Sequence, residues 1–262
     1  MGSAALHIAR TGLDAQDTRM RVISNNLANV NTTGFKKDRA SFETLAYQVV
    51  TAPGSSSTQE TRYATGLNLG TGVRVQGTMR IETQGALQTT GNSLDMALDG
   101  DGYFQVQLPG GQLGYTRAGN FTRSPEGMVV TSEGYQLMPG ITVPEGTTAI
   151  TVGTDGTVSA TVPGQTDATQ IGQVQIASFA NPAGLQALGD NYLMETGASG
   201  AANLGIAGQD GRGKIRQGML EGSNVNVVAE LVDMIETQRA YEVNSKMISA
   251  TDEMLKYINN NL

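Results

Sequence analysis

The sequence predicts an α+β protein: long N- and C-terminal helices paired as a coiled-coil base, with a central, mostly antiparallel β-domain. Apolar residues recur every seven positions near the start (Leu6, Leu13, Met20, Leu27) and again near the finish (Val227, Met234, Tyr241, Ile248, Leu255, Leu262). Between these ends the chain reads as short strands separated by turn-forming residues. Charge is scarce as well: Asp, Glu, Lys and Arg make up 16% of the chain and Gly supplies 34 of its 262 residues, whereas soluble domains average roughly 25% charged residues and about 7% Gly. A surface so poor in charge suits a protein whose surroundings are mostly other protein.

The first helix is expected over residues 3–30. Ala9, Gln16, Ile23 and Val30 follow the first heptad series three places behind, and Asp17 and Arg21 form a favourable i, i+4 pair. It ends in a cluster, Asn25-Asn26-Leu27-Ala28-Asn29-Val30-Asn31-Thr32-Thr33-Gly34-Phe35. Asn side chains compete for backbone groups, and Gly34 takes a positive φ without penalty, so the plain reading is a helix C-terminus.

Residues 36–72 hold a short apolar stretch, 42–50, and then a Pro-Gly-Ser-rich run, which by composition is a linker or exposed loop. From residue 73 to about 216, strands are expected at 80–89, 103–108, 128–131, 135–138, 149–152 and 174–179. The turns between them include Pro109-Gly110-Gly111, Ser124-Pro125-Glu126-Gly127 and Thr154-Asp155-Gly156. The expected division is 1–35 plus 222–262 as a terminal helical domain, 36–72 as a connecting segment, and 73–221 as a β-rich outer domain.

The last helix is expected over 225–259, with Ser223-Asn224 as its cap and Glu230 in its first turns, where a negative charge suits the dipole. At about 100° per residue, Tyr241, Ile248 and Leu255 fall on one side and Val243, Met247, Ala250, Met254 and Tyr257 on the other. The first stripe can pack on the first helix. The second is surplus, and on a lone molecule it would be an exposed apolar patch. Neighbouring copies are the expected cover, so both stripes, together with Leu6, Leu13, Met20, Ile23, Leu27, Val227 and Met234, are the candidate assembly residues.

Catalytic chemistry finds little footing. A net charge of −7 argues against nucleic acid, and Lys36, Lys37 and Arg39 read as a solvated corner. There is no Cys, and the single His, His7, lies in the amphipathic first helix. Asp95, Asp99 and Asp101 have the wrong register for a calcium loop and read as a turn. The Gly-rich stretch 208–214 fails the spacing of a phosphate loop. No catalytic, cofactor-binding or metal residue is expected, and the chain is not expected to be an enzyme. Arg10, Asp14, Asp17 and Arg19 interrupt any apolar signal core in the first twenty residues, and no run approaches the ~20 residues of a membrane span.

The terminal motifs carry a resemblance. Residues 25–36 (NNLANVNTTGFK), with Asn25, Asn26, Leu27, Ala28, Asn29, Asn31, Gly34 and Phe35, resemble the N-terminal signature of bacterial flagellar rod and hook proteins. Residues 221–246 (EGSNVNVVAELVDMIETQRAYEVNSK), with Ser223, Asn224, Val225, Gln238, Arg239, Ala240 and Tyr241, are similar to their C-terminal signature. Leu98-Asp99-Gly100-Asp101-Gly102-Tyr103-Phe104 and Tyr115-Thr116-Arg117-Ala118-Gly119-Asn120-Phe121 resemble the family's strand entries. The motifs span the chain in order. Within the family, length, residues 237–246 and the insertion at 47–67 (Tyr47, Pro53, Gly54, Gly66) are most similar to the distal-rod branch.

The resemblance implies a structural subunit that stacks helically into a hollow, rigid shaft and carries torque across the periplasm. Its implied partners are further copies of itself, proximal rod proteins at one end and hook protein at the other, the ring bushing proteins around it, and the flagellar export apparatus. It further implies export without a cleavable signal, and an insertion that orders against neighbouring subunits. Two alternatives stay open: another axial protein of the family, proximal rod or hook, and, outside it, a β-rich binding module with a helical oligomerisation stalk.

Overall fold

The first heptad series builds α1, Gly2–Ala28, and the second builds α2, Val227–Asn260. The structure, a computed structural model, describes residues 2–54, 64–163 and 168–260. Leu262 of the second series and residues 55–63 of the insertion lie outside the described residues. α1 ends two residues before the expected boundary, at the start of the Asn-rich turn where Thr32 N donates to Asn29 O. α2 is capped by Asn226 rather than by Ser223-Asn224. Asn226 Oδ1 accepts from Ala229 N at 3.2 Å, and Asn226 O accepts from Glu230 N at 3.0 Å. Asn224 cannot cap because its amide is engaged elsewhere.

The chain divides into two compact units. One comprises Met1–Leu27, Asp38–Met79 and Asn226–Leu262, and the other Ala28–Lys37 and Arg80–Val225. In the first, α1 and α2 lie side by side and antiparallel. Asn26 Nδ2 donates to Glu230 Oε2 at 3.2 Å, Arg19 pairs with Asp233 at 3.2 Å, and Gly12 faces the amide of Asn244. As the position on α1 falls from 26 to 12, its partner on α2 rises from 230 to 244.

Most of the Pro-Gly-Ser-rich run lies outside the described residues, and its start, residues 52–54, is coil and turn. The described part of residues 36–72 is largely strand: Asp38–Thr44 pairs with Val73–Arg80, and Gln48–Thr51 pairs antiparallel with Leu67–Leu69. β-branched and aromatic residues at Phe42, Val49 and Val50 outweigh the turn formers around them. Thr11 of α1 anchors this part of the unit, its Oγ1 accepting from Val73 N at 3.3 Å. Glu43 holds Arg74 at 2.7 Å.

The second unit is β-rich. Among the described residues a nine-stranded antiparallel sheet runs in the order Gln186–Gly189, Tyr192–Met194, Leu113–Thr116, Tyr103–Gln107, Gln136–Leu137, Val129–Val130, Thr122–Arg123. Gln175–Ser178 branches from it, pairing with both Tyr103–Gln107 and Asn203–Ile206. Ala149–Val152, Thr157–Thr161 and Thr169–Gln173 form a separate meander. Alternation puts Leu98, Phe104, Val106, Leu137, Ile176 and Ile215 in one core with Phe121, whose ring meets Phe104 edge-on at 5.2 Å. Burying each such side chain contributes roughly 1.5–3 kcal/mol.

The single strand expected at 80–89 is broken. Val73–Arg80 stops, residues 81–86 run as irregular chain, and Leu87–Thr89 pairs with Met219–Glu221. The backbone of the interruption is spent on the side chains described next.

Candidate assembly site: a buried clasp and the outer face of the last helix

Glu221 closes the strand Met219–Glu221 with its side chain shut off from water. Its Oε1 accepts from Lys36 Nζ at 2.5 Å and from Gly85 N at 2.9 Å, and its Oε2 accepts from Arg117 Nη1 at 3.3 Å. The Glu221 carbonyl also takes Gly34 N at 2.7 Å. Both cations have further acceptors, Thr83 O for Lys36 and Gly100 O for Arg117, and the Arg117 guanidinium lies over the Tyr103 ring at 5.3 Å. One carboxylate thus serves two buried cations. Removing any one of the three would leave a buried charge uncompensated. Lys36 is therefore not the solvated corner that its neighbours in sequence suggest. Burial pushes its pKa down, and the bond to Glu221 opposes that shift.

Three stretches of chain converge here. Asn224 Oδ1 accepts from Lys37 N at 2.8 Å, while its Nδ2 donates to Ile81 O at 2.8 Å and to Thr83 O at 3.0 Å. Gly34 has φ 70°, and a Cβ there would stand 2.6 Å from Ala118 N. Gly85 runs so close to Gly222 O that no side chain fits. The Gly-Phe-Lys and Glu-Gly-Ser-Asn parts of the signatures are thus the two halves of one clasp, with Arg117 of the third motif as its floor.

The Asn cluster of the first signature divides its work. Asn26 is buried in the helical unit, where its amide both receives Asp38 N and donates to Asp38 O, besides Glu230. Asn25 and Asn31 are exposed, Ala28 is the last residue of α1, and Asn29 begins the turn.

The helical seam differs from the apolar heptads. Towards α1, α2 presents Glu230, buried; Thr237, fully buried; and Asn244, packed on Gly12. These residues form their own seven-residue series, and it is polar. Opposite them Ala9, Ala15 and Ile23 are buried, and Gln16 has a buried Oε1 with no hydrogen-bond partner. Leu6, Leu13, Met20, Leu27, Met234 and Ile248 are half-buried, as are Phe35, Ser223, Val225 and Ala240. Val227 and Tyr241 are exposed, as are Gln238, Arg239 and Ala250, and Val243, Met247 and Met254 stand 52–61% exposed. The side chain of Leu255 lies outside the described ones. In the insertion, Val49, Val50, Leu67 and Leu69 are exposed on the paired strands and Tyr47 just before them, Gly54 takes φ 80°, and Gly66 packs on Pro53.

A polar cleft of about 160 Å³ is lined by Thr32, Asn120, Glu133, Asp190, Asn191 and Tyr192. The Tyr192 hydroxyl donates to Glu133 at 2.5 Å, which holds that carboxyl below its usual range, while burial raises the Tyr192 pKa. His7 is exposed. Asp99 pairs with Arg216 at 3.0 Å, and the 208–214 loop is a turn closed by Arg212 on Asp210 and Asn203. Among the described residues no three His, Cys, Asp or Glu side chains gather as a metal site, and no helix is long and apolar enough to cross a membrane.

Three family descriptions match in the order of the motifs: flagella basal body rod protein over residues 6–36, the flagellar hook protein FlgE/F/G D1 domain over 97–160, and the flagellar basal body rod FlgEFG protein C-terminal over 216–261. The chain is 50% identical over 252 residues to the flagellar basal-body rod protein FlgG of Buchnera aphidicola from Acyrthosiphon pisum, covering 96% of this chain and 97% of that one. The chain belongs to the flagellar basal-body rod protein family. Within one organism, Caulobacter vibrioides, it is 45% identical to FlgG, over 96% of this chain and 97% of the relative. To FlgF of that organism it is 36% identical, over 93% and 92%. It is a structural subunit of the flagellar distal rod and not an enzyme.

Sequence reasoning missed two things in this rod subunit. The clasp residues Lys36, Arg117 and Glu221 are separated by long stretches of chain. A glutamate five places before the capping Asn226 gives no local sign of burial. The other omission is Val228, Leu231, Val232 and Ile235, all exposed on α2. Their i, i+3, i+4, i+7 spacing is the sequence signal for such a face, and it overlaps the longer heptad series.

Proposed function

We propose that the subunit polymerises helically into a hollow, rigid drive shaft, with the terminal helices paired as a coiled-coil inner layer and the β-rich unit outside. The observation that carries this reading is the polarity of α2. Its seam with α1 is built from Glu230, Thr237 and Asn244, whereas its outward surface is aliphatic and Met-rich. A helix of 34 residues gains most of its stability from a covered apolar face. In this hairpin that face points away from its own partner, and further copies are the cover that a polymer supplies.

In this reading the shaft runs through the periplasm from motor to hook. Proximal rod proteins and hook protein meet its ends, and ring bushing proteins surround it. The subunit arrives through the flagellar export apparatus, without a cleavable signal, and the paired strands around residues 47–69 pack on neighbouring copies to stiffen the shaft. The chain's low charge fits such a crowded setting.

Raising the concentration of purified chain tests it. Open-ended mass growth, with hollow tubes of uniform width in micrographs, is the expected result. A finite dimer at every concentration would instead favour a binding module on a helical stalk.

A further inference from the structure

Val228, Leu231, Val232 and Ile235 lie on one face of the first turns of α2, each between 43% and 71% exposed. The other side of the same turns carries buried Glu230, half-buried Asp233 and buried Thr237. In these turns the amphipathic pattern is inverted, so a rotation of α2 on α1 that sheltered the aliphatic side chains would break the contacts of Glu230 with Asn26 and of Asp233 with Arg19. Three of the four are β-branched, which costs helix propensity and is recovered only by packing.

Further along, that face continues as Arg239, Glu242 and Lys246, all exposed, and at about 100° per residue a second apolar patch, Val243, Met247 and Met254, lies roughly a quarter-turn round the helix. At about 1.5 Å per residue the centres of the two patches lie ~25 Å apart along the helix. α2 thus carries a stiff, branched aliphatic patch near its start and a pliable, Met-rich one near its end, separated by charge. Thioether side chains adapt to the surface they meet.

Resting on the polymer reading above, we propose that the two patches are complementary halves of one interface: Val228, Leu231, Val232 and Ile235 of one copy pack against Val243, Met247 and Met254 of another. A patch that met its own equivalent would close a two-fold dimer and stop. Two different patches joined head to tail leave one of each free, so growth continues. The charged band then sits at the rim of each contact and sets its register.

The absence of Cys makes the test clean. The variants Val232→Cys and Met254→Cys are mixed in equal amounts, polymerised and oxidised, and the products are separated without reductant. A mixed disulfide should be the main cross-link, and the double variant should give a ladder of covalent oligomers. The two positions lie ~33 Å apart along one helix, far beyond disulfide reach, so the ladder cannot arise within a chain. Hydrogen-exchange protection of residues 96–106 in each variant confirms that the β-rich unit is folded. Polymers that cross-link only Val232→Cys to itself, or not at all, overturn this interface and leave the polymer reading standing. Failure of the unsubstituted chain to polymerise at any concentration overturns both.

Discussion

Lys36 and Glu221 stand 185 positions apart in the chain and meet at 2.5 Å, with 3% and 0% of their side chains exposed. The carboxylate also answers Arg117, so neither cation reaches its counter-ion through water. Residues on either side of Lys36 and of Glu221 lead to the two terminal helices, and this makes the pair the point at which the signatures become one structure.

Removing the charge of that single acid should be costly. Glu221→Gln leaves two buried cations facing a neutral amide, and breaking a buried pair in this way costs about 3–5 kcal/mol. Lys36→Met leaves Arg117 to neutralise Glu221 and should cost less. Urea unfolding followed by tyrosine fluorescence ranks the two; a Glu221→Gln protein as stable as the parent would show that the clasp contributes nothing.

Gly34 tests the same place through the backbone. Gly34→Ala puts a Cβ at φ 70°, 2.6 Å from the backbone of Arg117 and Ala118. The loss should exceed about 1 kcal/mol, beyond what unfolded-state entropy returns. Gly54→Ala, also at positive φ but in open space, should lose less in the same melt, because it carries the conformational penalty alone.

The two asparagines before α2 should separate by effect. Asn226→Ala removes a cap and should lower helical stability by about 1 kcal/mol, with Asn226→Gly recovering most of it. Asn224→Ala instead leaves Lys37 N without its acceptor and frees Ile81 O, and no capping residue can rescue it. Circular dichroism melts of the three proteins make the comparison.

Alkaline pH should unfold the β-rich unit. Burial raises the pKa of Tyr103 and of Tyr192, and that of Tyr115 in the same direction. A group whose folded pKa lies above its unfolded value stabilises fully below that unfolded value, 10.0 for Tyr, and loses this as pH climbs towards the folded one. Lys36 is shifted downward and works in the opposite sense, one group against three. The tyrosinate absorbance of these three buried rings should therefore appear only as structure is lost. A single step with all rings titrating together before unfolding would contradict this burial.

Charge placed on either patch of α2 should block assembly and spare folding. Met254→Asp and Val232→Asp each put a carboxylate where a desolvated contact is proposed. The expected outcome is an unchanged melt of the β-rich unit and no polymer in a sedimentation assay. Normal polymer from both variants would show that neither patch is an interface.

The chain's own order of residues determined both long helices, because a seven-residue beat over twenty or more positions has few other solutions. It determined the strand-rich middle as well, through Gly and Pro spacing, and the family, through the terminal motifs. Tertiary structure decided what those elements do with their side chains. Asn224 reads as a cap by local chemistry, yet a bridge among three distant backbones satisfies more of its hydrogen-bonding capacity. Lys36 reads as solvated until Glu221 and Arg117 close around it. α2 has apolar residues on several sides, and periodicity alone cannot say which side faces α1. Asn26, Arg19 and Gly12 settle that by drawing Glu230, Asp233 and Asn244 inward, which turns the aliphatic side of the helix out. Periodicity is a property of neighbours in sequence, whereas burial and charge compensation depend on residues that only folding brings together.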